Sequence, residues 1–67
     1  MTFPEVMQSI NDNNLALVIS KKGSGLLFEM YRKRDEDFVS TSFRATPLQF
    51  KYINSCLEQM IKYLMEQ

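Results

Sequence analysis

The chain has 67 residues, eight basic and eight acidic, and no formal net charge. This length predicts a single domain over residues 1–67, whose small core needs a disulfide bond, a bound metal ion or a partner chain to be stable. Because the sequence has one Cys and no His, an intrachain disulfide and a Cys/His zinc site are excluded. Oligomerisation is the source of additional stability that remains. Zero net charge makes whole-molecule attraction to nucleic acid or an anionic membrane weak, so such binding would need a local patch.

Hydropathy and the thiol content predict where the chain resides. Its longest apolar run, residues 15–19, has five residues, far fewer than the roughly 20 of a bilayer-spanning helix. The N-terminus lacks the basic start and apolar core of a signal peptide. We therefore expect a cytoplasmic protein with a free thiol and no membrane partner.

A short amphipathic helix is predicted from residue 3 to about residue 11. Thr2 and Glu5 have the spacing of a capping box. Four apolar residues follow at helical spacing, namely Phe3, Val6, Met7 and Ile10. The Asn-rich residues 11–14 end the helix.

Three strands are predicted next, over residues 15–20, 26–34 and 38–44. The first run is apolar, β-branched at its end and too short for a good helix, whereas the other two alternate in polarity. Residues 21–25, which contain two glycines, predict a flexible turn, and the acidic residues 35–37 predict the second turn.

Alternation gives this sheet two faces. The face expected to meet the helices carries Leu15, Leu17, Ile19, Leu26, Phe28, Met30, Val39 and Phe43. The opposite face, which we call the open face, is expected to show Ala16, Val18, Leu27, Tyr31, Ser40 and Ser42, with Lys33 and Arg44 at its rim. It is either ordinary surface of a small protein or a docking face.

Residues 46–49 predict the start of the C-terminal helix. Thr46 is a good N-cap, Pro47 fits the first helical position, and Gln49 completes a capping box. We expect the Thr46 hydroxyl to accept a hydrogen bond from the first turn while Gln49 reaches back, so Thr46→Ala should cost about 1 kcal/mol.

This helix carries two apolar stripes. The first consists of Phe50, Ile53, Leu57, Met60 and Leu64, and the second of Leu48, Tyr52, Cys56 and Tyr63. One stripe can pack on the sheet while the other meets a partner, or both can form one wide core-facing side, since two heptads are too few to identify a coiled coil. The second stripe, with Leu27 and Tyr31 of the open face, forms the candidate partner-binding set.

Basic residues of the sheet form a candidate nucleic-acid site. Its members are Lys21, Lys22, Arg32, Lys33, Arg34 and Arg44. A hairpin is expected to bring the first pair close to the second strand, with Tyr31 and Phe38 nearby for base stacking. Because residues 35–37 are all acidic, the alternative is a solvated, charged hairpin that protects an edge strand from aggregation.

No motif predicts catalysis, a metal or a cofactor. The glycine turn at residues 23–25 lacks the ending of a phosphate loop, and the acidic turn lacks the wider pattern of a calcium loop. Cys56 has no His to act as its base and is predicted to be a buried structural thiol. We therefore expect a protein that is not an enzyme.

A resemblance accompanies residues 14–19, the Gly-containing turn, the second strand and Ala45-Thr46-Pro47 at the helix start. This pattern resembles the small E-type protein of the PRTRC plasmid gene system. The resemblance covers most of the chain by layout, although the C-terminal helix here is much longer and rich in Met and Tyr. It implies a phage or mobile-element setting and supplies neither an activity nor site residues.

These patterns predict an α+β domain of αβββα order, with a three-stranded antiparallel meander packed against the C-terminal helix. The predicted function is non-catalytic protein binding or assembly, as a homodimer or higher oligomer formed by the C-terminal helix or the open face, with another protein as a further partner. The alternative is a single-stranded nucleic-acid-binding protein that uses the sheet and its basic hairpin. Phosphate contacts would make affinity fall steeply with salt, and apolar docking would not.

Overall fold

The computed structural model describes residues 1–67. Its elements are α1 (Phe3–Asp12), β1 (Leu15–Lys22), β2 (Gly25–Arg34), β3 (Asp37–Ala45), a 3₁₀ helix (Pro47–Tyr52) and α2 (Ile53–Met65). The strands form one antiparallel sheet in the order β1-β2-β3, which leaves β1 and β3 as its edges. The predicted αβββα order and antiparallel meander are confirmed.

The start of α1 is fixed by the predicted capping box. The Thr2 amide donates to Glu5 Oε1 at 2.9 Å, and the Glu5 amide donates to Thr2 Oγ1 at 3.4 Å. Two of the first amides, which have no partner inside the helix, are thereby satisfied. Val6 and Ile10 are buried, whereas Phe3 stays 48% exposed. Both the capping hydrogen bonds and the burial of Val6 and Ile10 therefore stabilise α1.

The β1–β2 connection is tighter than the predicted five-residue turn. Lys22 pairs with Gly25, so only Gly23 and Ser24 form the turn, and Gly23 has a φ of 59°. Positive φ at the first turn residue is the hairpin requirement that glycine meets without steric cost. Gly25 belongs to β2 instead, where an added Cβ would collide with the carbonyl oxygen of Ala45.

The core lies between the sheet and the two helices and draws on all of these elements except the 3₁₀ helix. Its buried members are Val6, Ile10, Leu15, Phe28, Met30, Ala45, Leu57, Met60, Ile61 and Leu64. The Phe28 and Phe43 rings stack across β2 and β3, with centroids 4.8 Å apart. The predicted helix-facing side of the sheet is confirmed with one correction: Ile19 is 50% exposed, because neither helix covers that part of β1.

The C-terminal helix does not begin as an α-helix at Pro47, as the sequence predicts. Residues 47–52 form a 3₁₀ helix with no buried residue, and α2 begins only at Ile53. The Thr46 amide donates to Gln49 Oε1 at 2.9 Å, so Gln49 reaches back as expected. The Thr46 hydroxyl, however, donates to the same Oε1 at 3.2 Å. The predicted start position and the capping-box arrangement of Thr46 and Gln49 are therefore confirmed, and the predicted α-helical geometry at Pro47 is wrong.

Candidate functional site

An open groove lies between α2 and the edge strand β3. Its volume is about 380 Å³, and its lining residues are Thr41, Phe43, Cys56, Gln59, Met60 and Tyr63. None of these residues is charged. Met60 is 5% exposed and belongs also to the core, whereas Tyr63 is 49% exposed. The groove is therefore an extension of the core that opens to solvent beside a strand edge.

The two predicted stripes of the C-terminal helix separate only within α2. From Ile53 onward the first stripe packs on the sheet, with Leu57 and Leu64 fully buried, but Phe50 lies in the 3₁₀ helix and is 38% exposed. Cys56 and Tyr63 of the second stripe face the groove. Cys56 is half-buried there, so the predicted buried structural thiol is wrong.

The predicted second stripe is interrupted at the junction of the two helices. A step of four residues turns a side chain by about 40° around an α-helix but by about 120° around a 3₁₀ helix. Leu48 and Tyr52 therefore do not continue the line of Cys56 and Tyr63. Leu48 is 86% exposed, and the Lys51 Nζ lies 5.2 Å from the centre of the Tyr52 ring.

The open face of the sheet is a separate surface. Leu27 and Tyr31, its members in the candidate partner-binding set, are half-buried there. The Tyr31 hydroxyl donates to Glu29 Oε2 at 2.9 Å. This hydrogen bond raises the pKa of Tyr31 above its ordinary value, because it is lost when the phenol loses its proton. The six candidate partner-binding residues thus lie on three surfaces and not on one.

The candidate basic site is divided by the strand register. Lys21 and Lys22 pair with Leu26 and Gly25 at one end of β2, whereas Arg32 pairs with Leu15 at the other. Six residues along β2 separate Leu26 from Arg32, which corresponds to roughly 20 Å. The hairpin does bring the lysine pair next to the second strand, as expected, but at the end of that strand opposite to its cations, so the six basic residues do not form one patch. Arg44, opposite Leu27, lies at the lysine end.

Arg32 has a structural role that the sequence did not predict. Its Nη1 donates to the Leu64 carbonyl at 2.8 Å and to the Gln67 carbonyl at 3.5 Å. Carbonyls at the end of a helix lack partners within it, and a cation there also interacts favourably with the helix dipole. Arg32 thus joins β2 to the end of α2. A sequence signal exists, since alternation places Arg32 on the same face as Met30.

Two residues of the groove, Thr41 and Gln59, were not identified from the sequence. No sequence pattern indicates that they are close together, because their proximity depends on how α2 lies across β3. The acidic and thiol side chains form no group of three or more that could hold a metal ion. No helix is both long enough and apolar enough to cross a bilayer.

Comparisons with known proteins add no relative. No protein-family model matches the chain, and no curated protein or solved structure is significantly similar to it.

Proposed function

We propose that the protein is a small non-catalytic assembly module that forms a homodimer along β3 and the groove above it. The observation that supports the proposal is the groove itself, an uncharged, apolar opening into the core beside an unpaired strand edge. A second copy that covers this region supplies the stabilisation that so small a core lacks. The phage or mobile-element setting stays a prediction.

The β3 edge is self-complementary. A free edge presents unpaired backbone groups that pair readily with another strand. In antiparallel pairing centred on the middle of β3, Asp37 of one copy meets Ala45 of the other and Arg44 meets Phe38, so no like charges face each other. β1, the other edge, ends in Lys21 and Lys22, the residue type that most often protects an edge from such pairing.

A two-fold axis through Thr41 pairs β3 with its copy over its whole length. Strands that pair directly keep their side chains on common faces, so residue i of one copy meets residue 82−i of the other. Val39 then meets Phe43 of the second copy on the helix side, beside the groove. Such an isologous contact closes on itself and yields a continuous six-stranded sheet.

The required contact area is available. A standard interface buries about 800 Å² on each partner, about one-sixth of the 4740 Å² that the monomer exposes. The exposed aromatic side chain of Tyr63 lies at the groove, where a packed interface would use it as an anchor.

Sedimentation equilibrium from low to high micromolar concentration tests the dimer. We expect a species of twice the 7.9 kDa chain mass. Thr41→Lys should abolish it, because two ammonium groups would face each other at the axis. Tyr63→Glu should weaken it, because the interface would then bury a carboxylate. A wild-type protein that remains at 7.9 kDa throughout contradicts the proposal.

Two control variants locate the interface. Ser20→Lys adds the same charge to the edge strand β1, and Ser55→Glu adds the same charge as Tyr63→Glu to an exposed position of α2 outside the groove. Both should leave the mass unchanged. If Ser20→Lys dissociates the dimer and Thr41→Lys does not, the contact uses β1 and the proposed interface is wrong. Circular dichroism verifies that each variant is folded.

A further inference from the structure

Strand alternation sorts the basic residues by face. Lys22, Lys33 and Arg44 fall on the open face, and all three are exposed. Among the strand residues of this face the one acid is Glu29, and its carboxylate already accepts the Tyr31 hydroxyl. The face thus has three cations and one carboxylate, although the whole chain is neutral.

The cations on this face are free to meet a ligand. The one salt bridge of the structure joins the Met1 ammonium to Glu58, so no cation of the open face is neutralised by a neighbouring carboxylate. Asp37 lies two residues before the helix-facing Val39 in β3, so its side chain is on the helix side of the sheet and not on the open face. Asp37 therefore offsets the positive face less than its sequence position implies, and the remaining acids of the turn, Asp35 and Glu36, lie at the Lys33 end of the sheet.

An uncovered aromatic ring lies beside these cations. Phe38 is 68% exposed and pairs with Lys33 across β2 and β3. Tyr31, two residues before Lys33, is on the same face and is half-buried. A flat sheet surface with rings and cations suits single strands, because bases stack on the rings while phosphates meet the cations.

We propose that the open face binds single-stranded nucleic acid. Lys22, Lys33 and Arg44 contact phosphates, and Phe38 stacks on a base with Tyr31 beside it. The cations span the sheet, since Leu27, opposite Arg44, lies six residues from Lys33 along β2, or roughly 20 Å. The site does not require the proposed dimer, because its residues belong to one chain and face away from the groove. In the dimer, pairing along β3 would place Phe38 of one copy next to Arg44 of the other on this same face. Phe38 distinguishes this ligand from an acidic peptide, which needs no stacking ring.

The test is fluorescence anisotropy of a labelled oligothymidine of about 15 nucleotides, a length within the range that one small domain covers. We expect affinity to fall with salt, with a log–log slope no steeper than about −2, because three phosphate contacts contribute about −0.7 each. Phe38→Ala should weaken binding about fivefold or more, the loss of one stacked base. No detectable binding at low salt overturns the proposal.

A matched pair of triple variants separates the site from net charge. Replacement of Lys22, Lys33 and Arg44 by Ala should weaken binding by at least about tenfold and flatten the salt slope. Replacement of Lys21, Lys51 and Lys62, which removes the same charge elsewhere, should leave the affinity within about twofold. Equal losses of affinity in the two triple variants overturn the proposal. Competition by polyglutamate as strong as that by unlabelled oligothymidine also overturns it and would indicate an acidic protein partner. Arg32 stays unchanged because it holds α2, and circular dichroism verifies folding.

Discussion

Residues 2–5 and residues 46–49 carry the same helix-start signal but fold differently. Each begins with Thr, has Pro in the first turn and places Glu or Gln three residues after the cap. The first signal opens α1 directly. The second opens a 3₁₀ helix of six residues, and the α-helix follows only at Ile53. A run of this length is unusual for 3₁₀ geometry.

The difference lies in how the residues after each cap pack. α1 places Val6 and Ile10 in the core, so burial of apolar side chains stabilises its geometry. No residue of the 3₁₀ helix is buried, so packing does not select the wider α-helical turn there. The comparison teaches that a cap fixes where a helix begins and that packing decides which helix forms.

The strongest test compares one apolar side chain from each region. Ile10→Ala should lower the free energy of unfolding by about 2–5 kcal/mol, because Ile10 is only 5% exposed. Leu48→Ala should change it by no more than about 0.5 kcal/mol, because Leu48 is 86% exposed. Urea unfolding followed by circular dichroism measures both values.

The unfolding of these variants is measured at low protein concentration, so that dissociation of a dimer does not contribute to the free energy. A domain of this size has about 3–5 kcal/mol to lose, so Ile10→Ala is expected to be partly or wholly unfolded. Ile10→Val, with a smaller expected loss of about 0.5–1.5 kcal/mol, then provides the measurable value. If Leu48→Ala proves as costly as Ile10→Ala, the 3₁₀ helix is packed in solution, and a lack of packing does not explain its geometry.

The same contrast shows what the sequence could predict. Alternation along β2 identified both faces of the sheet, because Phe28 and Met30 must share a face whatever covers them. The register of the hairpin was within reach too: a short turn at Gly23 necessarily pairs Lys22 near it and sends Arg32 to the far end. The predicted basic cluster neglected this constraint.

The groove and the 3₁₀ helix lay beyond sequence reasoning. The groove exists because α2 crosses β3 at a particular position, which brings Thr41 near Gln59, and no periodicity records that position. The periodicity of residues 48–64 assumed one α-helix throughout. Only the packing of the folded chain shows that Phe50 misses the core.

A second test compares the two caps directly. Thr2→Ala should cost about 1 kcal/mol, because the Thr2 hydroxyl accepts the Glu5 amide. Thr46→Ala should cost less, about 0.5 kcal/mol, because the hydroxyl there donates to the Gln49 side chain. The hydrogen bond from the Thr46 amide to Gln49 Oε1 remains when the hydroxyl is removed. Thermal unfolding of both variants measures the difference. Equal losses would mean that the Thr46 hydroxyl caps a first-turn amide, as the sequence alone predicts.

The smallest expected effect is a pH dependence that only the first cap has. Hydrogen bonds from the Thr2 amide and hydroxyl hold the pKa of Glu5 below its ordinary value of 4.5, because they favour the charged carboxylate. A carboxylate whose pKa is lowered by folding stabilises the folded state above the unfolded-state pKa, and this contribution disappears as the pH falls through the lower, folded-state pKa. Gln49, in the equivalent position of the second cap, does not titrate.

Glu5→Gln should therefore be less stable than wild type near neutral pH and should lose less stability on acidification below about pH 4.5. Melting temperatures of both proteins from neutral to acidic pH check this, and Glu36→Gln, which removes an exposed carboxylate from the turn between β2 and β3, controls for net charge. Parallel curves for wild type and Glu5→Gln would show that the two start signals are electrostatically equivalent and that packing alone distinguishes them.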